Sequence, residues 1–263
     1  MNDHKKMYRI VLLGSLHDPA KDMVYNAINP LFEIHKVLLE RSVSRKQMVK
    51  KRIRKIGLLR VLGQIAFQLL IVKALGIISR SRVEEIKREF GLDTSPIPVD
   101  KTEVFNTIND DACIEALREL KPDLILVKGT RILSRKVLSA VSAPFINMHV
   151  GITPLYRGVH GAYWALTNND RVNAGTTIHY VDPGIDTGRV IAQKTINISP
   201  KDNFFTYPLI QIAAGIELLK TCLPALTKSQ RVVLEAIPVG ESRLWSHPTI
   251  WFYLKKRIIN GIK

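Results

Sequence analysis

The amino-acid sequence predicts an α/β fold with an open, mostly parallel sheet flanked by helices. Two observations carry this prediction. Apolar runs of strand length alternate with helical stretches along the chain, and most runs end at turn-forming or polar residues. A length of 263 residues with 46% hydrophobic and 24% charged content supports a sizeable buried core and excludes global disorder.

The predicted elements follow one another in a regular order. The first strand is expected at 8–14, where aliphatic residues lead into Gly-Ser, as in a buried parallel strand that feeds a turn. Further strands are expected at 34–39, 123–127, 144–150, 174–181 and 189–198. Helices are expected between 110 and 120, after Ser134, and over 203–226. This alternation is typical of βαβ units.

A strongly basic insertion at about residues 41–90 interrupts this order. Between Arg41 and Val83 there are twelve Lys or Arg and no Asp or Glu, so most of the net charge of +16 lies here. The first half reads as a basic helix, and the second, over 58–78, as an apolar one. The longest uncharged stretch of this second half, 61–72, is shorter than the roughly 20 residues of a membrane span, so the sequence predicts no transmembrane helix.

The sequence leaves open which surface this insertion packs on. Arg60, Gln64 and Gln68 recur every four residues and form one polar stripe, as on a helix buried on most sides or lying at an interface. The insertion can pack on the core, on a second copy in a homodimer, or on an anionic membrane surface. Nucleic acid is disfavoured because no aromatic residues are interleaved with the charges.

Cysteine usage and the N-terminus indicate a cytoplasmic location, at most peripheral to the inner face of a membrane. Cys113 and Cys222 match no metal-ligand or redox spacing, so we expect two reduced thiols and no metal site. The charged N-terminus precedes an apolar run too short for a signal peptide and without a small-residue cleavage site.

Candidate catalytic residues are concentrated between 145 and 193. Asn147 and His149 lie two apart on a predicted strand, so both project to one side near its carboxyl end, where ligands of open α/β sheets bind. The Gly-rich turn DPGIDTG can return Asp186 to the same place. From this spacing alone, a purely structural role for these side chains stays open.

An amide, an imidazole and a carboxylate together suit acyl or formyl transfer to an amine. Asn147 can donate to an oxyanion, and His149 can stabilise that charge or move a proton. Asp186 can orient the imidazole and help to accept the amine proton. The chain lacks a G-x-S-x-G elbow, a Cys-His context and an H-E-x-x-H motif, so covalent or metal-based acyl chemistry has little support.

Five motifs together resemble the 10-formyltetrahydrofolate-dependent formyltransferase family. They are N-x-H, P-x-Y-R-G, W-A-L, G-T-T-I-H and D-x-G-x-D-T-G-x-x-I-A-Q, and the likeness spans about 123–225. The resemblance implies an open Rossmann-like sheet in a catalytic domain over 1–228, with a short C-terminal extension over 229–263. It also implies that Asn147, His149 and Asp186 are the catalytic residues.

The same resemblance implies the ligand contacts. The segment KGTRILS should bind the pterin of 10-formyltetrahydrofolate through Arg131, Ile132 and Leu133, and the turn after the next strands through Val181, Asp182 and Gly184. The P-x-Y-R-G loop supplies the expected acceptor contacts, which are Tyr156, Arg157, Gly158 and His160. For His160, a solvent-facing loop position is the alternative, and His179 is expected to be a packed strand residue. Gly151 replaces the serine that most of the family carries.

The expected acceptor is a small-molecule primary amine, most closely the amino group of a nucleotide-linked sugar. Glycinamide ribonucleotide is disfavoured because Asp18 lies in the turn where that ligand's phosphate should bind. Methionyl-tRNA formyltransferases carry a further C-terminal domain, for which the 38 residues after Ala225 leave no room. A catalytically idle fold that binds a membrane or a partner through its basic helices is the non-enzymatic alternative.

Overall fold

Seven strands form one sheet in the computed structural model, which describes residues 8–227 and 240–263. The strands are β1 (Ile10–Ser15), β2 (Ile34–Glu40), β3 (Thr102–Phe105), β4 (Leu124–Lys128), β5 (Phe145–His149), β7 (Gly175–Tyr180) and β8 (Val190–Thr195). Their order is β3-β2-β1-β4-β5-β7-β8. Neighbours are parallel from β3 to β5, whereas β7 is antiparallel to both β5 and β8. The short strands β6 (Tyr156–Gly158) and β9 (Arg243–Trp245) form a separate parallel ribbon.

Helices cover both faces of the sheet. They are α1 (Ala20–Ile28), α2 (Arg45–Ile56), α3 (Leu58–Ala66), α4 (Lys73–Ile78), α5 (Arg80–Phe90), α6 (Asp111–Leu120), α7 (Arg135–Leu138), α8 (Gly161–Thr167), α9 (Tyr207–Leu226) and α10 (Ile250–Asn260). Because strand side chains alternate, Ile10 and Leu12 join the core on one face, and Val11 and Leu13 join the core on the other. Strands buried on both faces account for the continuous apolar runs in the sequence.

The predicted fold class is confirmed, and the six predicted strands lie within a few residues of their predicted positions in the main sheet. Three strands were not predicted. β3 is a four-residue edge strand with two exposed residues, and β6 and β9 have three residues each. Cys113 and Cys222 are both buried and free. The predicted domain boundary at 228/229 and residues 1–7 lie outside the described residues.

The insertion is helical, and α3, a π-helical turn (Phe67–Val72) and α4 join into one helix over Leu58–Ile78, here named the apolar helix. By length and composition it could cross a membrane, as could α9, which is mostly buried. The length argument against a span was therefore wrong, because the helix continues through Arg60 and Lys73. Phe67 anchors it to the body, with ring centroids 4.8 Å from Phe204 and 5.2 Å from Tyr253.

We expect Phe67→Ala to lower the free energy of unfolding by about 3–5 kcal/mol, because Phe67 is fully buried and its loss leaves a cavity between the apolar helix and α10. Chemical denaturation measures the change. Leu69→Ala on the same helix is the matched control: Leu69 is half exposed, so its replacement should cost far less. Equal losses in the two variants would show that Phe67 is not the anchor.

Candidate functional site

A cavity of about 440 Å³ lies at the carboxyl ends of β4 and β5. Its wall is formed by the segment after β4, the end of β5, the start of the loop after β6 and the turn after β7. This is the edge at which ligands of open α/β sheets bind, and the volume suits a small organic ligand. Asn147, His149 and Asp186 all line this cavity, so the structure brings the three residues together.

The Asp186 carboxylate is the meeting point of the cluster. Its Oδ2 accepts the backbone N–H of Gly158 at 2.9 Å and lies 3.4 Å from His149 Nδ1. Its Oδ1 accepts from Asn147 Nδ2 at 3.4 Å and lies 3.7 Å from His179 Nε2. One side chain thus contacts two strands of the sheet and the loop that walls the cavity.

The turn after β7 brings Asp186 to this position through an unusual backbone conformation. Asp186 has φ = +52°, in the left-handed region that Asp and Asn tolerate better than most residues. Within the turn, Asp182 Oδ1 accepts from the Gly184 N–H and the Thr187 hydroxyl. A Cβ at Gly188 would lie 1.6 Å from the Tyr180 carbonyl oxygen, so only glycine fits where the turn rejoins the sheet.

His149 is buried, and its tautomer follows from its partner. Because the Tyr156 carbonyl can only accept, His149 Nε2–H donates to it at 2.8 Å, which leaves Nδ1 without a proton toward Asp186. Burial lowers the pKa of His149 below its ordinary value of about 6.5, and the negative charge of Asp186 opposes part of that change. A neutral imidazole beside a carboxylate can take up a proton at Nδ1.

Asp186 is ionised. Burial alone would raise the pKa of its carboxyl group, but contacts with His179 and His149, which act most strongly when those rings carry protons, and the Gly158 N–H together lower that pKa to about 2. Lys128, at the end of β4, also lines the cavity and is buried. Burial lowers the pKa of Lys128, while the charges of Asp18 and Asp186 oppose that effect. The cavity therefore contains a buried lysine, Lys128, that the sequence analysis did not single out.

Asn147 is held by His179, which the sequence analysis assigned to packing alone. His179 Nδ1–H donates to the Tyr180 carbonyl at 2.7 Å, so its Nε2 accepts from Asn147 Nδ2 at 3.1 Å. With the contact to Asp186, both amide hydrogens of Asn147 face acceptors of the protein. The signal that would have revealed His179 is the register, since Asn147 and His179 are directly opposite in the antiparallel pair β5–β7.

The surroundings of position 151 explain why a glycine stands there. A Cβ there would lie 2.3 Å from the Tyr156 carbonyl oxygen and 2.6 Å from His149 Nε2, the two atoms that form the hydrogen bond described above. Even the smallest side chain would collide with this contact. A residue with a side chain at 151 therefore requires a different approach of Tyr156 to His149.

The six expected cofactor contacts all line the same cavity: Arg131, Ile132, Leu133, Val181, Asp182 and Gly184. The side chain of Arg131 is turned to the protein, where it donates to the Asn106 carbonyl at 2.8 Å and pairs with Glu40. The backbone N–H groups of Ile132 and Leu133 have no protein acceptor among the described residues. Free backbone donors beside the cavity fit an amide-rich ring such as a pterin.

Of the four expected acceptor contacts, only Gly158 lines the cavity. The Tyr156 hydroxyl donates to Asp170 at 2.7 Å within the core, and Arg157 donates to the Ile185 carbonyl at 3.0 Å. These hydrogen bonds direct the two side chains to other parts of the protein, Tyr156 to Asp170 and Arg157 to the turn that contains Ile185. Neither side chain lines this cavity, and their contact with an acceptor stays a prediction.

His160 is neither a cavity residue nor a solvent-facing one. It is partly buried, and its Nε2 lies 2.9 Å from His247 Nδ1, while its ring packs on Phe204 with centroids 4.4 Å apart. Burial, and secondarily His247, lowers the pKa of His160 to about 3, so the ring is neutral. His160 joins the loop after β6 to the C-terminal segment.

Comparisons with known proteins agree with the geometry. The family described as formyl transferase matches residues 78–207. The chain is 33% identical over 122 residues to methionyl-tRNA formyltransferase from Thermodesulfovibrio yellowstonii, covering 46% of this chain and 39% of that protein. It is 36% identical over 126 residues to the methionyl-tRNA formyltransferase of Kosmotoga olearia, covering 47% and 37%. The chain thus spans about two fifths of the length of these curated relatives.

Solved structures share the fold. Phosphoribosylglycinamide formyltransferase from Anaplasma phagocytophilum has a TM-score of 0.56 at 18% identity, covering 91% of this chain and 97% of that one. A sugar N-formyltransferase from a Shewanella species has a TM-score of 0.54 at 16% identity, covering 90% and 76%. The family resemblance read from the motifs is confirmed. The chain is similar to the formyl transferase family over residues 78–207, just under half of its length, and this part includes Asn147, His149 and Asp186.

Proposed function

We propose that this protein transfers a formyl group from 10-formyltetrahydrofolate to a primary amine. The observation that carries the proposal is the neutral imidazole of His149, whose unprotonated Nδ1 lies 3.4 Å from the ionised Asp186 carboxylate on the wall of the cavity. When bound, 10-formyltetrahydrofolate supplies the formyl group. The bond between the acceptor nitrogen and the formyl carbon forms, the bond from that carbon to the donor nitrogen breaks, and a proton passes from acceptor to donor.

Different residues of this chain would bind the cofactor and carry the proton. The backbone of Ile132 and Leu133 and the turn that contains Asp182 and Gly184 would hold the pterin. His149 Nδ1 holds the proton that the acceptor amine loses, and the carboxylate of Asp186 stabilises the resulting imidazolium. The hydrogen bond to the Tyr156 carbonyl keeps Nδ1 directed at Asp186 throughout.

Asn147 has two tasks in this scheme. Its amide links His179 to Asp186 and so fixes both strands of the site. To stabilise negative charge on the formyl oxygen, it must turn one amide hydrogen from a protein acceptor toward the ligand. The contact to Asp186 is the longer of its two, at 3.4 Å, and is the one we expect the ligand to replace.

For the acceptor we propose a nucleotide-linked amino sugar. The P-x-Y-R-G and W-A-L motifs support this class, and Asp18 argues against a phosphate in the turn after β1. Asp18 Oδ1 accepts the Ala20 N–H at 3.0 Å, so this carboxylate occupies the N-terminus of α1, where a phosphate would otherwise bind. Glycinamide ribonucleotide is the second candidate, since the fold alone does not separate the two.

The direct test combines the purified protein and 10-formyltetrahydrofolate with amino-sugar nucleotides, glycinamide ribonucleotide and small amines. Mass spectrometry scores the gain of one formyl group. A formylated sugar nucleotide supports the whole proposal. Formylated glycinamide ribonucleotide would instead identify that compound as the acceptor. Folate binding without any product on the full panel would instead favour an idle fold that binds a partner.

We expect Asn147→Ala, His149→Ala and Asp186→Ala each to reduce kcat strongly. For His149→Ala the loss should be roughly 10²–10⁴-fold, the usual contribution of a positioned proton carrier. The fold should persist in each variant, and folate affinity should be kept in the first two. His35→Ala is the matched control, because His35 is exposed on β2. A fully active His149→Ala enzyme would contradict the mechanism.

The pH profile tests the pairing of His149 with Asp186. Activity requires unprotonated His149, and its lowered pKa should keep the acid limb of kcat/KM below pH 6.5 or so. In Asp186→Asn, which suits the left-handed backbone, the charge that raises the pKa of His149 is gone, so the acid limb should move to still lower pH while the plateau falls. Asp111→Asn, at an exposed carboxylate, is the control. An acid limb that moves upward would refute the pairing.

His179 is a positioning residue in this scheme. Replacing it with Ala removes the acceptor of the Asn147 amide, so we expect kcat to fall at least tenfold with little change in the KM for the folate donor. His179→Gln, whose carbonyl can accept the same hydrogen bond, should restore part of kcat. Steady-state kinetics of both variants decide this: an increase in KM alone would assign His179 to ligand binding.

A further inference from the structure

The apolar helix presents a large hydrophobic face to solvent. Seven of its large aliphatic side chains are half or more exposed: Leu58, Leu59, Leu62, Leu69, Leu70, Ile77 and Ile78. The opposite side is buried, with Val61 and Phe67 packed against the body. Isolated exposed leucines are ordinary on protein surfaces, but seven exposed aliphatic side chains on one helix, beside the exposed Arg60 and Lys73, mark an interaction site.

Helix α10 extends this face. Trp251, Leu254 and Ile258 recur at helical spacing and are all exposed. Trp251 packs on the apolar helix at Gly63, where a Cβ would lie 2.2 Å from the indole ring. Tyr253, on the other side of α10, packs on Phe67. The two helices therefore form one surface with their apolar sides exposed together.

Unpaired cations border the apolar surface. On α2, exposed cations are Lys46, Lys50, Lys51, Arg54 and Lys55, and α10 adds Lys255 and Arg257. Helix α2 lies along the apolar helix, where Val49 and Arg52 border a small cavity with Ile65 and Leu69. Within the described ranges, none of these cations forms an ion pair, and residues 41–83 contain no acid.

We propose that the apolar helix, α2 and α10 form a docking surface for an anionic lipid bilayer. This goes beyond the proposed function and does not depend on it. The apolar side chains would enter the boundary between acyl chains and head groups, and the cations would contact anionic head groups. Trp251 is of the residue type that favours this boundary.

The charges favour a bilayer over a second copy of the chain. In a symmetric dimer the same surface would face itself, which would bring two sets of unpaired cations together. An anionic membrane offers an apolar interior and the opposite charge at once. The exposed apolar side chains match the membrane interior, and the cations beside them match the anionic head groups.

The polar stripe of the apolar helix favours lying on the membrane over spanning it. Gln64 Nε2 donates to the His247 carbonyl at 2.7 Å, and Gln68 Nε2 lies 3.1 Å from His247 Nδ1. Together with Phe67 these contacts hold one side of the helix to the body. A spanning helix would have to break all of them and bury both amides in hydrocarbon.

The test is co-sedimentation of the full chain with vesicles of phosphatidylcholine alone or with an equal amount of phosphatidylglycerol, at low and high salt. We expect binding to the anionic vesicles, a decrease at high salt and little binding to the neutral ones. Leu59→Glu with Ile258→Glu, and separately Lys50→Glu with Lys51→Glu, should each weaken binding at least tenfold. Val172→Glu and Lys220→Glu, at exposed positions elsewhere, are the matched controls and should leave it unchanged.

Three outcomes would overturn the proposal. The wild type fails to bind anionic vesicles at low salt, or the surface variants bind as the controls do. The third is a stable dimer in analytical ultracentrifugation that Leu59→Glu dissociates, which would assign the surface to a second copy. Circular dichroism confirms that each variant is folded, and the Lys50→Glu with Lys51→Glu variant, on an exposed helix, keeps the test valid if the apolar changes disturb folding.

Discussion

The Asp186 carboxylate is the contact on which the rest of the site depends. It accepts the Gly158 N–H, lies beside His149 Nδ1 and receives the Asn147 amide, so it joins β5, the end of β6 and the turn after β7. Without an ionised group there, the hydrogen bond from Gly158 weakens, and His149 loses the partner that stabilises added charge. The left-handed backbone of Asp186 is compatible with this position because Asp is among the few residues that tolerate it.

The sequence was sufficient to predict which residues form this cluster, but not which hydrogen bonds connect them. Two polar residues two apart on a strand must share one side of the sheet, and a Gly-rich turn can return a carboxylate to that edge. The role of His179 depends on the register of an antiparallel pair, which no local pattern specifies. The inward positions of Tyr156 and His160 depend on β9 and His247, which are more than 80 residues away in the sequence.

The helical insertion shows the same limit. Counting charges predicts a basic, amphipathic insertion, and the four-residue spacing of Gln64 and Gln68 predicts a polar stripe. The spacing alone leaves open whether that stripe faces water or protein. In the structure Gln64 and Gln68 face His247 while Arg60 is exposed, so most of the apolar side is directed to solvent. The partner of a polar stripe decides which face of such a helix is available for interaction.

The proposed docking surface and the cavity are connected by direct contacts through the C-terminal segment. Gln68 and His160 both contact His247, β9 pairs with β6, and β6 ends at Gly158, whose N–H binds Asp186. The segment from 240 to 263 thus holds the apolar helix on one side and the wall of the cavity on the other. The side-chain contacts in this series are partly buried hydrogen bonds of 2.9–3.1 Å, and they connect the cavity to the surface proposed to bind lipid. A chain that lost this segment would lose β9 and α10 together, so the geometry of the site and the docking surface depend on the same 24 residues of the structure.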